Sequence, residues 1–278
     1  MNASIKDQTH ASIVYYDSDY PSRYFSRYPE NFDEIVEQQG IADDVYKYQR
    51  LARQYGNRVL ELCCGTGRIA IPLAAEGCTV TAVDVSGALL NRLKTNQESI
   101  ENFPYQNLSV VKQDVTELSL PQRDFDLIIC AFNSLLCIPD RDLQQKTLFN
   151  AAAHLRPHGL LALDIWNPLV LNLEGDKIPE SYFTRKRTDN GNQYTRFAAT
   201  GKMNAEQVQP VYGWYDETTP DGTIKRTPYN MEWRIIFRYE MVLMLEKAGF
   251  QVTNIYGGNR DEPFETHSLK MFFEAIKI

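Results

Sequence analysis

The sequence predicts a doubly wound α/β sheet, mostly parallel, with an antiparallel strand at its C-terminal end. A helical N-terminal lid and a small antiparallel β insertion are expected beside it. Three observations carry this reading. Short apolar runs alternate with helix-spaced segments from residue 58 onward. A glycine-bearing turn joins the first of these runs to the first helix. After Trp166 the alternation gives way to a polar, aromatic stretch that ends near residue 230. Near-continuous apolar strands separated by helices belong to a parallel sheet covered on both faces.

The first 55 residues hold eight of the 16 tyrosines, whereas the next 126 positions hold only Tyr105. Residues 1–55 therefore read as a separate, tyrosine-rich lid. A buried strand is expected at 58–62, a helix at 68–76 closed by Gly77, a second strand at 79–83 and a helix at 87–98. Strands follow at 108–112 and 125–131. A helix at 143–155, with Pro157 and Gly159 in its terminating turn, leads to a fifth strand at 160–165. Turn signals at Asp189-Asn190-Gly191 and Pro220-Asp221-Gly222 put antiparallel strands at 194–200 and 211–217. The core resumes with a strand at 231–237, a helix at 239–248 ended by Gly249, and strands at 251–256 and 269–277. The division is thus lid 1–55, core 56–166 and 231–278, and substrate-side insertion 167–230.

Composition narrows the class. With 43% hydrophobic and 23% charged residues, the chain is neither collagenous nor low-complexity. No apolar run approaches the ~20 residues of a membrane helix, and the start lacks an export profile, so a cytoplasmic protein is expected. A net charge of −7 and a single short basic knot, Arg185-Lys186-Arg187, argue against a nucleic-acid surface. The five cysteines show no zinc spacing and no disulfide framework, so no metal is expected.

The segment Glu61-Leu62-Cys63-Cys64-Gly65-Thr66-Gly67 lies where the first strand turns into the first helix. Glycine there lets the backbone bend sharply and a ligand come close. Gly65-Thr66-Gly67-Arg68-Ile69-Ala70 also satisfies a loose dinucleotide fingerprint, and Asp84, 19 residues after Gly65, suits ribose hydroxyls. A nicotinamide dinucleotide and S-adenosylmethionine therefore compete for this turn. Glu61 favours the second, because a carboxylate repels a pyrophosphate and attracts a sulfonium and an ammonium. Asp114-Val115 follows the third strand, where a carboxylate can accept from an adenine amino group. Phe132-Asn133-Ser134 follows the fourth, at the mouth of the cleft where open α/β sheets bind ligands.

Together with Leu155-Arg156-Pro157-His158-Gly159, these residues resemble a class I S-adenosylmethionine-dependent methyltransferase over nearly all of 50–278. The layout is similar to small-molecule methyltransferases with an N-terminal lid and a β insertion, such as amino-sugar N-methyltransferases. The resemblance implies a Rossmann-like methyltransferase sheet with Gly65 and Gly67 under the methionine moiety. It implies Asp84 on the ribose diol and Asp114 with Val115 at the adenine. Tyr16, Arg23, Glu61, Cys63, Val85 and Phe132 complete the expected cofactor set. Cys63 departs from the family, which has glycine there.

Methyl transfer is an in-line displacement, so alignment matters most and a base is needed only where the acceptor holds a proton. Asn133, beside the transferred methyl, and His267, before the last strand, are the catalytic candidates. Tyr20, Tyr24, Trp166, Trp214 and Trp233 are expected on the acceptor side, with Tyr215 and Tyr229 near them. The expected activity is methyl transfer to a nitrogen or oxygen of a small-molecule acceptor, by a monomer or homodimer with no nucleic-acid or membrane partner. Three alternatives stay open: a nicotinamide-dependent oxidoreductase, a transferase or cyclase moving a group other than methyl, and a non-catalytic binding protein.

Overall fold

The structure, a computed structural model, describes residues 10–22, 24–25 and 41–278. Two single-turn helices, α1 (Ala11–Val14) and α2 (Tyr16–Asp19), precede the longer α3 (Ile41–Tyr55). The apolar run Arg58–Leu62 forms β1, buried at four of its five positions. After α4 (Ala70–Ala75), β2 (Thr79–Asp84) pairs with it in parallel. The helix α5 (Gly87–Glu98) starts at Ser86, whose side chain caps the Leu89 N–H. It leads to β3 (Leu108–Lys112), β4 (Phe125–Cys130), α6 (Arg141–His154) and β5 (Leu155–Trp166).

The chain then leaves this sheet. The strands β6 (Glu180–Lys186), β7 (Gln193–Thr200), β8 (Val208–Thr218) and β9 (Ile224–Arg234) form a separate antiparallel sheet. It returns through α7 (Arg238–Lys247) to β10 (Phe250–Tyr256) and β11 (Lys270–Lys277). Among the described residues the larger sheet has the order β10-β11-β5-β4-β1-β2-β3 and the smaller β6-β7-β8-β9. β11 runs antiparallel to both of its neighbours, as expected of the C-terminal strand.

Strand alternation sends successive residues to opposite faces. Along β1, Leu60 and Leu62 join one cluster with α6 and α7 residues such as Leu148 and Leu245. Val59 joins the other with Leu51, Leu73 and Leu93 from α3, α4 and α5. Both faces are therefore covered, which is why the strands read as unbroken apolar runs.

No strand was expected where β6 lies, and two expected elements take another form. The strand expected at 231–237 is the tail of β9 and belongs to the smaller sheet. Continuous pairing from Val208↔Arg234 to Thr218↔Ile224 carries the chain to Arg234 before it turns back. The turn expected at Pro157 and Gly159 is a bulge inside β5, where pairing passes from Phe125↔Leu155 to Leu127↔Leu160.

The segment 10–22 is the seam between the two sheets. From α5, Arg92 donates to the Ile13 and Val14 carbonyls at 3.0 and 3.2 Å and to Asp17 at 3.0 Å. On the other side, Tyr15 stacks on Tyr215 with ring centroids 4.1 Å apart and donates to Glu217 at 2.7 Å. Burial alone would raise Glu217, but hydrogen bonds from Tyr15, Asn192, Arg187 and Asn190 outweigh it and hold the carboxyl at about 2.

Gly67 has φ +85°, and a Cβ there would stand 2.8 Å from Leu93 Cγ. Gly67→Ala is expected to lower Tm by about 4–10 °C through overpacking and backbone strain. An unchanged melting curve would contradict the close packing of this turn on α5.

Candidate active site

The carboxyl ends of β1 to β5 open into a cavity of about 590 Å³, a size typical of ligand sites. Its floor is built by Cys63 and Gly65 after β1, Asp84 and Val85 after β2, Val115 after β3, and Phe132 to Ser134 after β4. Ile13, Tyr16, Asp19 and Tyr20 close it from the N-terminal segment. Trp166 stands at the end of β5, and the smaller sheet contributes Tyr182, Arg196, Val211, Tyr215, Met231 and Trp233.

The turn after β1 is held by its own backbone and by Asp84. The Gly67 N–H donates to the Cys64 carbonyl at 3.0 Å, and Asp84 Oδ2 accepts the Gly65 N–H at 3.0 Å. Asp84 Oδ1 accepts from the Ser86 N–H at 2.8 Å. Burial raises the Asp84 carboxyl, and the N–H groups of Ser86, Gly65 and Val85 pull it back. Gly65 has φ +56°, and a Cβ there would meet nothing nearer than the Tyr16 hydroxyl at 3.5 Å. Tyr16 thus packs closely over the bare backbone of Gly65. Cys63 also takes a left-handed φ of +57°, where a residue with a Cβ is strained. Burial pushes its thiol well above the usual value, so it is not a thiolate.

Of the residues singled out from the sequence, Tyr16, Cys63, Gly65, Asp84, Val85, Val115, Phe132 and Asn133 line the cavity together. So do Tyr20, Trp166 and Trp233. Others lie elsewhere, for physical reasons. Gly67 sits beneath the turn, against Leu93 and Ile71. Glu61 is 4% exposed and off the cavity wall, with Oε2 lacking a hydrogen-bond partner among the described residues. Asp114 caps the turn Val115–Glu117, accepting from the Thr116 N–H and hydroxyl at 2.9 and 2.8 Å. His267 is 85% exposed beside Glu265, away from the cavity, because the loop before β11 points to solvent. Trp214 neighbours Tyr215 on β8, so alternation turns it to the opposite face, where it stacks on Phe197 and hydrogen-bonds Asp216. Tyr24 is exposed and receives a hydrogen bond from Gln49. Arg23 lies outside the described residues.

Asp19, Arg196 and Tyr182 were not anticipated. Period-2 spacing from Ala198 and Thr200 would have placed Arg196 on the cavity face of β7. For Asp19 the signal was a carboxylate inside the run Tyr16-Asp17-Ser18-Asp19-Tyr20.

Comparison with known proteins bears on this geometry. A family model described as a methyltransferase domain matches residues 59–159, which run from β1 into β5. Residues 59–159 thus carry a methyltransferase domain, and the fold built around them is that of known methyltransferases. This methyltransferase is 25% identical over 222 residues to YqeM of Bacillus subtilis, which carries a methyltransferase name, covering 79% of this chain and 84% of that one. It is 35% identical over 123 residues to rat (Rattus norvegicus) glycine N-methyltransferase, spanning 41% of this chain and about two fifths (42%) of that enzyme. Its fold matches that of the CcbJ methyltransferase from Streptomyces caelestis, with TM-score 0.71 and 22% identity, over 92% of this chain and 99% of that one. None of these relatives supports the nicotinamide alternative or transfer of another group.

The residues present in the cavity fit S-adenosylmethionine. Gly65 offers bare backbone at the cavity floor, Asp84 offers carboxylate lone pairs beside it, and the orphaned Glu61 oxygen favours positive charge. Among the described residues no His/Cys/Asp/Glu cluster could hold a metal, and no helix is long and apolar enough to cross a membrane.

Burial pushes the Glu61 carboxyl up to about 8, against the pull of the Arg68 guanidinium. At pH 7 it is mostly protonated, and a cationic ligand nearby favours its ionised form. Binding of S-adenosylmethionine should therefore release a proton at pH 7 and strengthen as pH rises towards 8. Calorimetry in two buffers of different ionisation enthalpy checks this: the apparent enthalpies should differ for the wild type and coincide for Glu61→Gln. For stability the sign is opposite. An acid raised from 4.5 to about 8 in the fold stabilises fully only below 4.5 and loses that contribution as pH rises through 8. Glu61→Gln should thus raise the ligand-free Tm more at pH 8.5 than at pH 5.

Proposed function

We propose that this methyltransferase methylates a nitrogen of a small amine held between residues 13–20 and the smaller sheet. The observation that carries the reading is the charge of the acceptor half. Asp19, Asp176 and Glu180 line it, and Arg196 is the one Lys, Arg or His among the described lining residues. That guanidinium is paired with Asp19 at 3.2 Å and also donates to the Tyr20 and Tyr229 hydroxyls at 3.2 Å. The net negative wall draws an ammonium rather than an anion. The rings of Tyr20, Tyr182, Trp166 and Trp233 add attraction of ~0.5–2 kcal/mol each where one faces the cation. Relatives support the choice: the glycine N-methyltransferases and a glycine/sarcosine N-methyltransferase of Aphanothece halophytica are named for nitrogen methylation.

Bound S-adenosylmethionine supplies a methyl already activated on a sulfonium. The protein's own work is alignment and exclusion of water. Cys63, Gly65, Asp84 and Val115 line the cofactor half. Asn133 stands at the junction of the two halves, where its buried Oδ1 can accept an N–H from the acceptor and aim the nitrogen lone pair. Glu180 holds the amine's charge until it sheds a proton to water, while Asp19 is engaged by Arg196. Residues 167–230 thus form the acceptor side, residues 10–22 the cover, and 56–166 with the C-terminal strands the cofactor core. The cavity is completed within one chain, which suits a monomer or a homodimer, and the five free cysteines suit the reducing cytoplasm.

Incubation with methyl-labelled S-adenosylmethionine and a panel of small amines, alcohols and phenols tests the proposal. Label should enter amines, at a rate that rises with pH towards the pKa of each amine. Glu180→Gln should raise KM for the amine by about three- to tenfold, the size of one lost charged contact, with little change in cofactor affinity. Label entering only hydroxyl acceptors would overturn the reading.

A further inference from the structure

Two loops meet at the reacting end of the cavity, and one helix of the N-terminal segment holds both from behind. Asp44 and Tyr48 stand one turn apart on α3, and both are buried. Asp44 clamps the Arg68 guanidinium, from the loop after β1, with hydrogen bonds of 2.7 and 2.6 Å. Tyr48 donates to Asp164 Oδ1 at 2.9 Å. Asp164, 1% exposed near the end of β5, carries the hold onward to the loop after β4. Its Oδ1 also accepts the Phe132 N–H at 2.8 Å, its Oδ2 accepts from Lys270 at 3.2 Å, and its carbonyl accepts the Asn133 N–H at 3.1 Å.

These bonds grip two consecutive residues in a conformation they would not keep unaided. Phe132 and Asn133 have φ values of +56° and +63°, and neither is glycine. Arg68 adds a second hold, its guanidinium 5.0 Å from the centroid of the Phe132 ring. Both side chains line the cavity, and Asn133 Oδ1 is buried with no partner among the described residues. Such an atom is rare unless something else satisfies it.

We infer that Asp164 and Tyr48 are positioning residues for methyl transfer, which fix Phe132 and Asn133 so that the Asn133 amide oxygen faces the transferred group. The inference rests on the reading that Asn133 borders that group. On this view α3 is a fixed brace for the site rather than part of a cover.

Two ligands separate this role from general support. Sinefungin carries an amine-bearing carbon where S-adenosylmethionine has its methyl sulfonium, and S-adenosylhomocysteine lacks that group. Calorimetry on the full chain should show that the wild type binds sinefungin more tightly. Tyr48→Phe and Asp164→Asn should leave S-adenosylhomocysteine affinity within about twofold and cut the sinefungin preference by about three- to tenfold, the worth of one hydrogen bond. Asn133→Ala should reproduce the cut. Tyr48→Phe removes only a hydroxyl, so it keeps the test open if Asp164→Asn does not fold. A preference unchanged in Tyr48→Phe, a parallel loss of both ligands, or a wild type indifferent to the amine would overturn the inference. A wild type that binds neither ligand would instead refute the cofactor assignment beneath it.

Discussion

The carboxylate of Asp19 is buried where two sheets and the N-terminal segment meet, and the closed cavity depends on its being satisfied there. A buried charge costs several kcal/mol unless it is paired and hydrogen-bonded. Asp19 receives the Tyr194 and Tyr215 hydroxyls at 2.8 and 2.6 Å and the Arg196 guanidinium at 3.2 Å. Burial raises its carboxyl, and Arg196 with the two tyrosines works against that rise. Three partners from β7 and β8 therefore tie residues 16–19 to the smaller sheet, while Arg92 ties the same stretch to α5. Take away this junction and the cavity becomes an open cleft on the larger sheet.

The same arrangement separates two electrostatic tasks. The cofactor half is built from backbone turns and one carboxylate, Asp84, whose oxygens already hold the turn in shape. The acceptor half is aromatic and acidic, with its cation neutralised by Asp19. Cys63 stands at the border in a left-handed conformation, at the position where the resemblance places glycine. The left-handed turn is thus made despite the Cβ, and the neutral thiol lines the cavity next to Gly65.

The larger sheet was legible because strands covered on both faces are predominantly apolar, and 58–62, 79–83 and 108–112 are. The turn after β1 was legible because Gly65 needs a conformation that other residues resist. The smaller sheet was harder to read. Its strands have one solvated face, so β6 (Glu-Ser-Tyr-Phe-Thr-Arg-Lys) passes for a polar loop and the end of β9 for a core strand. Trp214 shows the cost of a one-residue uncertainty, since a single step along β8 changes the face. Gly67, two positions from the cavity residue Gly65, serves packing. Asp164 and Tyr48 left no local signal at all: they act through a contact 116 residues apart in sequence, which only the fold creates.

The most direct measurement is a crystal structure of the chain with S-adenosylhomocysteine. The ribose should lie on Asp84, the adenine beside Val115, the homocysteine chain along the cavity wall next to Gly65, and the sulfur between Cys63 and Asn133, facing Arg196 and Asp19. A ligand seated among Tyr182, Arg196 and Met231, or one whose sulfur points away from Asn133, would contradict a single cavity that joins cofactor and acceptor at that residue.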